Sequence, residues 1–159
     1  MTSNATKQRQ ERQIRAREAG AVQAGAKRMA SNLGQRSRIT GEQMQCILGP
    51  VRTALIAFRM DTAGTRQYHD CAAALSVAYY VASRIERHRH LMPVIKSGLD
   101  ALTEIFDRVD DHEWQTYFCT DDELARIDTA ADVYEGLLLT VTWPFLKRAI
   151  TDALPKGEE

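Results

Sequence analysis

Apolar side chains recur at helical spacing through the chain after residue 39, most densely between residues 66 and 89. A stripe with intervals of mostly three and four residues is formed there by Tyr68, Cys71, Ala72, Leu75, Ala78, Tyr79, Ala82 and Ile85. Such intervals predict an α-helix. Further apolar residues between 73 and 81 extend this surface most of the way round, as expected of a helix enclosed by protein. We therefore predict that residues 66–89 form the central helix of a bundle.

Two capping boxes mark the starts of further helices. Thr40–Gln43 and Thr120–Glu123 each place a threonine three residues before a Gln or Glu, so that side chain and backbone satisfy each other at the helix start. Apolar residues at helical spacing follow both boxes. Another helix is expected to begin near Pro93, which suits a first helical turn. The short connection before Pro93 favours an antiparallel neighbour.

Two prolines interrupt these helical patterns. A proline inside a helix removes one backbone hydrogen bond and crowds the preceding turn. We expect a kinked helix or two short helices at Pro50, and a kink at Pro144 in a helix that continues to about residue 153. Because the sequence shows no strand-like alternation and no repeat, we predict an all-α fold. It is an antiparallel bundle of about four core helices over residues 40–154, followed by a C-terminal tail at 155–159.

The formal net charge of zero conceals a separation of charge along the chain. Residues 1–40 hold nine bases and two acids, a net charge of +7, whereas residues 41–159 hold 12 bases and 19 acids, a net charge of −7. The first 39 residues also contain no aromatic residue and few large aliphatic ones, so they lack the apolar surface that offsets the entropy of ordering. We predict a basic N-terminal arm over residues 1–39 that is mobile alone and becomes helical on a partner.

The composition of this arm is the feature that points most clearly to a function. Its cations are Lys7, Arg9, Arg12, Arg15, Arg17, Lys27, Arg28, Arg36 and Arg38. They suit nucleic-acid phosphates, with a steep salt dependence. Because the arm has no aromatic residue to stack on bases, little sequence specificity is expected. An acidic protein surface, including the body of a second copy, is an alternative partner. A solubilising tail and an organelle transit peptide also stay open.

Cysteine content and hydropathy bear on the compartment. The three cysteines are widely spaced and form no CxxC pair, which fits reduced thiols in the cytoplasm. The most apolar stretch, residues 71–82, is shorter than the roughly 18 residues that a membrane span needs. We therefore expect a cytoplasmic protein without a signal peptide or membrane association, in which Cys71 is an inert core residue.

The densest polar cluster lies at residues 84–90. Two histidines two positions apart on a helix point in different directions, so we predict no metal site there, and no cofactor. The same stretch resembles the Arg-x(4–6)-His motif of HEPN-type ribonucleases, which are all-helical enzymes. This resemblance covers seven residues. It implies that Arg84 would stabilise phosphate charge and that His90 would act in acid–base chemistry or orient a 2′-hydroxyl group.

A polar connector between two predicted helices carries three aromatic residues, Trp114, Tyr117 and Phe118. We expect one or more of them to be an exposed anchor for a protein partner. The leading hypothesis is a non-enzymatic interaction or regulatory module. Its bundle binds a protein partner or a second copy, and its arm binds nucleic acid or an acidic surface. By analogy alone, this architecture would suit a regulator or an accessory protein of a bacterial mobile element. The alternative is a helical ribonuclease using Arg84 and His90.

Overall fold

The computed structural model describes residues 38–109 and 116–154. Within these ranges the chain forms five α-helices and one 3₁₀ segment. They are α1 (Gly41–Arg59), α2 (Thr65–Arg84), the 3₁₀ segment (Glu86–Leu91), α3 (Met92–Val109), α4 (Asp121–Leu138) and α5 (Trp143–Ala153). The predicted all-α fold is confirmed. None of these helices is long and apolar enough to cross a membrane. Apart from Arg38 and Ile39, the predicted arm and tail lie outside the described residues.

Pairs of residues that meet across neighbouring helices show how the bundle runs. Between α1 and α4, Arg52 pairs with Glu135 and Arg59 with Asp128, so residue numbers rise along one helix as they fall along the other. The same inverse order holds for α3 with α4 and for α2 with α3, in the pairs Arg108–Glu123, Glu104–Arg126, Tyr68–Phe106 and Leu75–Gly98. Helices α1 to α4 therefore form an up–down–up–down bundle, the antiparallel arrangement that was predicted.

Helix α2 is the central element, as its apolar pattern predicted. It packs against α1, α3, α4, α5 and the 3₁₀ segment. Its buried side chains are Cys71, Ala74, Leu75, Val77, Ala78, Val81 and Ala82. Most of these side chains are small, so the neighbouring helices can approach closely on several sides of α2.

The end of α2 differs from the sequence expectation. The helix was predicted to continue to residue 89, but it ends at Arg84, and Glu86–Leu91 is a 3₁₀ segment. Ile85 between them has extended backbone angles, with φ −112° and ψ 108°. Residues 86–90 carry no apolar stripe that could bury itself against the bundle, so packing does not hold them in a continued α-helix.

The two prolines are accommodated differently. Pro50 lies inside α1, which continues through it to Arg59 as one helix. The predicted single helix with a kink at Pro144 is instead two helices, because α4 ends at Leu138 and α5 begins at Trp143. Pro144 occupies the first turn of α5, where its missing N–H has no intrahelical partner to lose.

Both predicted capping boxes are present. The backbone N–H of Gln43 donates to Thr40 Oγ1 at 3.2 Å, and the backbone N–H of Thr40 donates to Gln43 Oε1 at 2.9 Å. At the start of α4, the Glu123 amide donates to Thr120 Oγ1 at 3.3 Å, and the Thr120 amide donates to Glu123 Oε2 at 2.8 Å. These reciprocal bonds satisfy backbone donors that a helix start leaves unpaired.

Candidate interaction surface

An open groove runs between α1 and α4 and has a volume of about 310 Å³. Its floor is apolar and consists of Leu48, Val51, Leu55 and Ala131. Its rim is formed by Arg52, Ile56, Arg59, Asp132 and Glu135. Large side chains on α1 thus lie opposite the small Ala131 on α4. Because Ala131 is small, the space between the two helices stays open to solvent.

Two large apolar side chains are exposed on this side of α1 and α4, one on the rim of the groove and one beyond it. Ile56 on the rim is 53% exposed. Leu139 follows the end of α4 and is 76% exposed. The positions 128, 132, 135 and 139 repeat at helical spacing, so Leu139 continues the row of α4 that borders the groove. An apolar floor with exposed apolar side chains beside it is typical of surfaces that dock a helix of another protein.

The charged rim is divided by sign between the two helices. Helix α1 contributes Arg52 and Arg59, whereas α4 contributes Asp128, Asp132 and Glu135. Arg52 Nη2 lies 2.9 Å from Glu135 Oε1, and Arg59 Nη2 lies 2.7 Å from Asp128 Oδ1. The side chains in these pairs are about one-third to one-half exposed, so the pairs add little stability by themselves but give each side of the groove a definite charge.

A buried carboxylate at the other face of α4 was not anticipated from the sequence. Glu123 is 3% exposed and accepts hydrogen bonds from both terminal nitrogens of Arg108, at 2.5 and 2.6 Å. This guanidinium lowers the pKa of Glu123 despite its burial. Arg108 Nη2 also donates to the Phe118 carbonyl oxygen at 3.1 Å. The cluster therefore ties α3, α4 and the connector together, a structural role.

The three connector aromatics have different environments. Tyr117 is 3% exposed, its ring stacks on Tyr68 at 4.9 Å, and its amide donates to the Ala63 carbonyl oxygen at 2.8 Å. Its ring thus belongs to the core and is not presented to a partner. Phe118 is 57% exposed and stays a candidate anchor. Trp114 lies outside the described residues.

The Arg84–His90 stretch does not form a recessed pair. Arg84 ends α2, and its guanidinium lies 5.0 Å above the Tyr80 ring. His90 lies beyond the break at Ile85, in the 3₁₀ segment, and both Arg84 and His90 are exposed. If this stretch followed the HEPN-type motif that it resembles, the arginine and the histidine would lie together in a groove of the bundle. Within the described residues no group of His, Cys, Asp and Glu side chains could hold a metal ion.

Between these two residues, His88 is held against the end of α4. Its Nε2 atom lies 3.1 Å from Thr140 Oγ1 and accepts from Arg87 Nε at 3.3 Å. Burial, Arg87 and His90 together lower the pKa of His88. The lowered pKa favours the neutral imidazole, and Arg84, Glu86, Arg87 and Arg89 are exposed around it.

The remaining candidate residues are the cysteines and the arm cations. Cys71 is buried, as predicted, and burial raises the pKa of its thiol to about 12, which disfavours the reactive thiolate. Of the nine arm cations, Arg38 is described and is exposed, and the other eight lie outside the described residues. Binding by the arm accordingly stays a prediction.

Comparison of the chain with protein-family models, with curated proteins and with solved structures found no match.

Proposed function

We propose that this chain is a helical interaction module. Its bundle docks a protein partner in the α1/α4 groove, and its N-terminal arm, residues 1–39, binds nucleic acid or another polyanionic surface. The observation that carries the proposal is the groove itself, with its apolar floor and the half-exposed Ile56 on its rim.

The dimensions of the groove favour a protein partner over a small ligand. The groove residues on α1 run from Leu48 to Arg59, which corresponds to about 17 Å along the helix. The groove is open to solvent, and on its α1 side the exposed Ile56 lies between Arg52 and Arg59. An elongated apolar strip with charged borders matches the anchor pattern of an amphipathic helix better than the enclosed pocket of a small molecule.

The charge of the arm supports the second half of the proposal. Nine Lys and Arg residues within 38 positions are able to neutralise several phosphates and release their counterions. The binding free energy then depends strongly on salt concentration and weakly on sequence, because the arm offers no aromatic side chain for base stacking.

The arm is tested by fluorescence anisotropy with labelled single-stranded RNA and duplex DNA across a salt series. A variant lacking residues 1–38 keeps Ile39, which packs against the core, and the Thr40 capping box. We expect it to keep the helical circular-dichroism signal and the melting temperature but to lose salt-dependent binding. A matched control, Arg87→Gln with Arg89→Gln, removes two exposed cations from the bundle and should keep binding. Equal binding by the truncated chain, or none by the intact chain at low salt, would contradict this half.

The groove is tested by capture of partners from the native cell after nuclease treatment. Three baits are compared: the wild-type chain, Ile56→Asp, and Phe106→Asp as the control at an exposed apolar side chain on α3. We expect a protein that is retained by the wild type and by Phe106→Asp but not by Ile56→Asp. A set of captured proteins that is the same for all three baits would refute docking in the groove.

A further inference from the structure

We propose that the partner in the α1/α4 groove is a second copy of this chain, related by a two-fold axis that runs parallel to the helices. This inference rests on the proposed docking role of the groove and adds the identity of the partner and the geometry of the complex.

The rim charges are self-complementary. In a symmetric dimer each surface meets an identical one, so attractive contacts require that every residue of one sign faces a residue of the other sign after the two-fold rotation. The groove satisfies this condition because one helix carries the arginines and the other carries the acids. Because the signs are separated between the two helices, only one of the two possible directions of the axis brings opposite charges together.

The same charges select the direction of the axis. If the axis lay across the helices, α1 would face α1 of the second copy, and Arg52 would approach Arg59 of that copy. If the axis runs along the helices, α1 faces α4 of the second copy, and residues keep their level along the bundle. Arg52 and Glu135 share one level and Arg59 and Asp128 share another, as their ion pairs show. Each arginine then faces an acid of the second copy.

This arrangement closes two rings of alternating charge. At one level the ring contains Arg52 and Glu135 from each copy, and at the other it contains Arg59 and Asp128 from each copy. Every charge keeps its present partner within the chain and gains a second partner of opposite sign across the interface. Because dimer formation also excludes water from the groove, these pairs become stronger than the half-exposed pairs of one chain.

The apolar residues are complementary in shape at the level between the two rings. The pairing of residue 52 with 135 and of 59 with 128 puts Ile56 level with Ala131. In the parallel-axis dimer, Ile56 of each copy therefore faces the small Ala131 of the other and fills the space that this alanine leaves. Asp132, exposed at the same level, forms no ion pair with a described residue and can stay hydrated at the rim.

Sedimentation equilibrium of the full-length chain tests the interface. We expect a reversible dimer whose dissociation constant is at least about 100-fold larger for Ile56→Asp than for the wild type. Two buried copies of Ile56 are lost, and each contributes about tenfold or more to the affinity. Phe106→Asp, at an exposed apolar side chain on α3, should dimerise like the wild type. A monomer at all concentrations, or a dimer that tolerates Ile56→Asp, would overturn the proposal. Circular dichroism checks that Ile56→Asp is folded.

Subunit exchange tests the axis. In a charge-reversed variant, Arg52→Glu and Arg59→Asp are combined with Asp128→Arg and Glu135→Arg. The parallel axis predicts that this variant dimerises with itself but does not form mixed dimers with the wild type, since like charges would then meet at both levels. Native mass spectrometry of the mixture measures this. Mixed dimers that form as readily as homodimers, or in preference to them, would overturn the geometry. If the chain is monomeric and a different protein is captured through Ile56, self-association is refuted while the proposed docking function stands.

Discussion

Removal of the Arg108 side chain tests whether the buried carboxylate at the start of α4 depends on this arginine. In Arg108→Ala, Glu123 keeps the hydrogen bond from the Thr120 amide at 2.8 Å but loses both bonds from the guanidinium. The Phe118 carbonyl oxygen loses its bond from Arg108 as well. A nearly buried negative charge is then left without its counter-ion.

The expected loss follows from the burial of the two partners. Breaking a fully buried ion pair by removing one member costs about 3–5 kcal/mol. Since the Arg108 side chain is about half exposed, water can replace part of the guanidinium, and we expect about 2–3 kcal/mol. With a urea dependence of about 1.5 kcal/mol per molar for a domain of this size, the unfolding midpoint should fall by roughly 1.3–2 M.

Urea unfolding followed by circular dichroism at 222 nm measures this midpoint. Lys96→Ala is the control, because it removes an ion pair with Asp100 whose two side chains are both exposed, and it should leave the midpoint unchanged within error. Adding Glu123→Gln to Arg108→Ala removes the orphaned charge, so the double variant should be at least as stable as Arg108→Ala. A midpoint for Arg108→Ala within 0.3 M of the wild type, on the order of 0.5 kcal/mol, would refute the reasoning.

Three further outcomes are expected. Because the pKa of Glu123 is lowered in the folded chain, its carboxylate stabilises the fold above the ordinary value of 4.5 and this contribution is lost as pH falls through the lowered value. The stability difference between the wild type and Glu123→Gln should therefore be largest near pH 7 and shrink below pH 4.5. Gly98→Ala should destabilise by about 1–3 kcal/mol, since a Cβ atom there would lie 2.5 Å from Ala130 Cβ, and Ala130→Gly should restore part of the loss. In the folded chain, iodoacetamide should label Cys46, which is exposed, and spare Cys71.

For each of these three predictions, one result would contradict the reasoning. A stability difference for Glu123→Gln that stays constant from pH 7 to pH 3 would contradict the assigned pKa direction. Gly98→Ala as stable as the wild type in urea unfolding would show that the two helices do not approach closely there. Labelling of Cys71 at the rate of Cys46, measured by mass spectrometry, would show that the core opens readily.

The features that the sequence predicted well are those that depend on neighbouring residues. The two capping boxes require only a threonine and a Gln or Glu three residues later, and both formed as expected. The apolar surface around residues 66–84 likewise identified the central helix, since a helix apolar on most sides has to be enclosed by others.

The features that depended on packing were missed or misplaced. The helical spacing of apolar residues continues through residues 139–142, so the sequence predicted one helix. Pro144 is more easily accommodated in a first helical turn, and α4 therefore ends at Leu138 and α5 begins at Trp143. The burial of Glu123 depends on Arg108, 15 residues earlier on another helix. Nor does the sequence show that Ile56 and Ala131 line one groove, because that depends on which helices become neighbours.

The measurement that tests the central claim most directly, that this chain meets protein through the open α1/α4 face, is the molar mass of the full-length chain in solution. Light scattering should give a mass that rises with concentration from 17.9 kDa towards twice that value. Under the same conditions Ile56→Asp should stay at 17.9 kDa. Masses that are identical for the two proteins at every concentration would contradict self-association through this face.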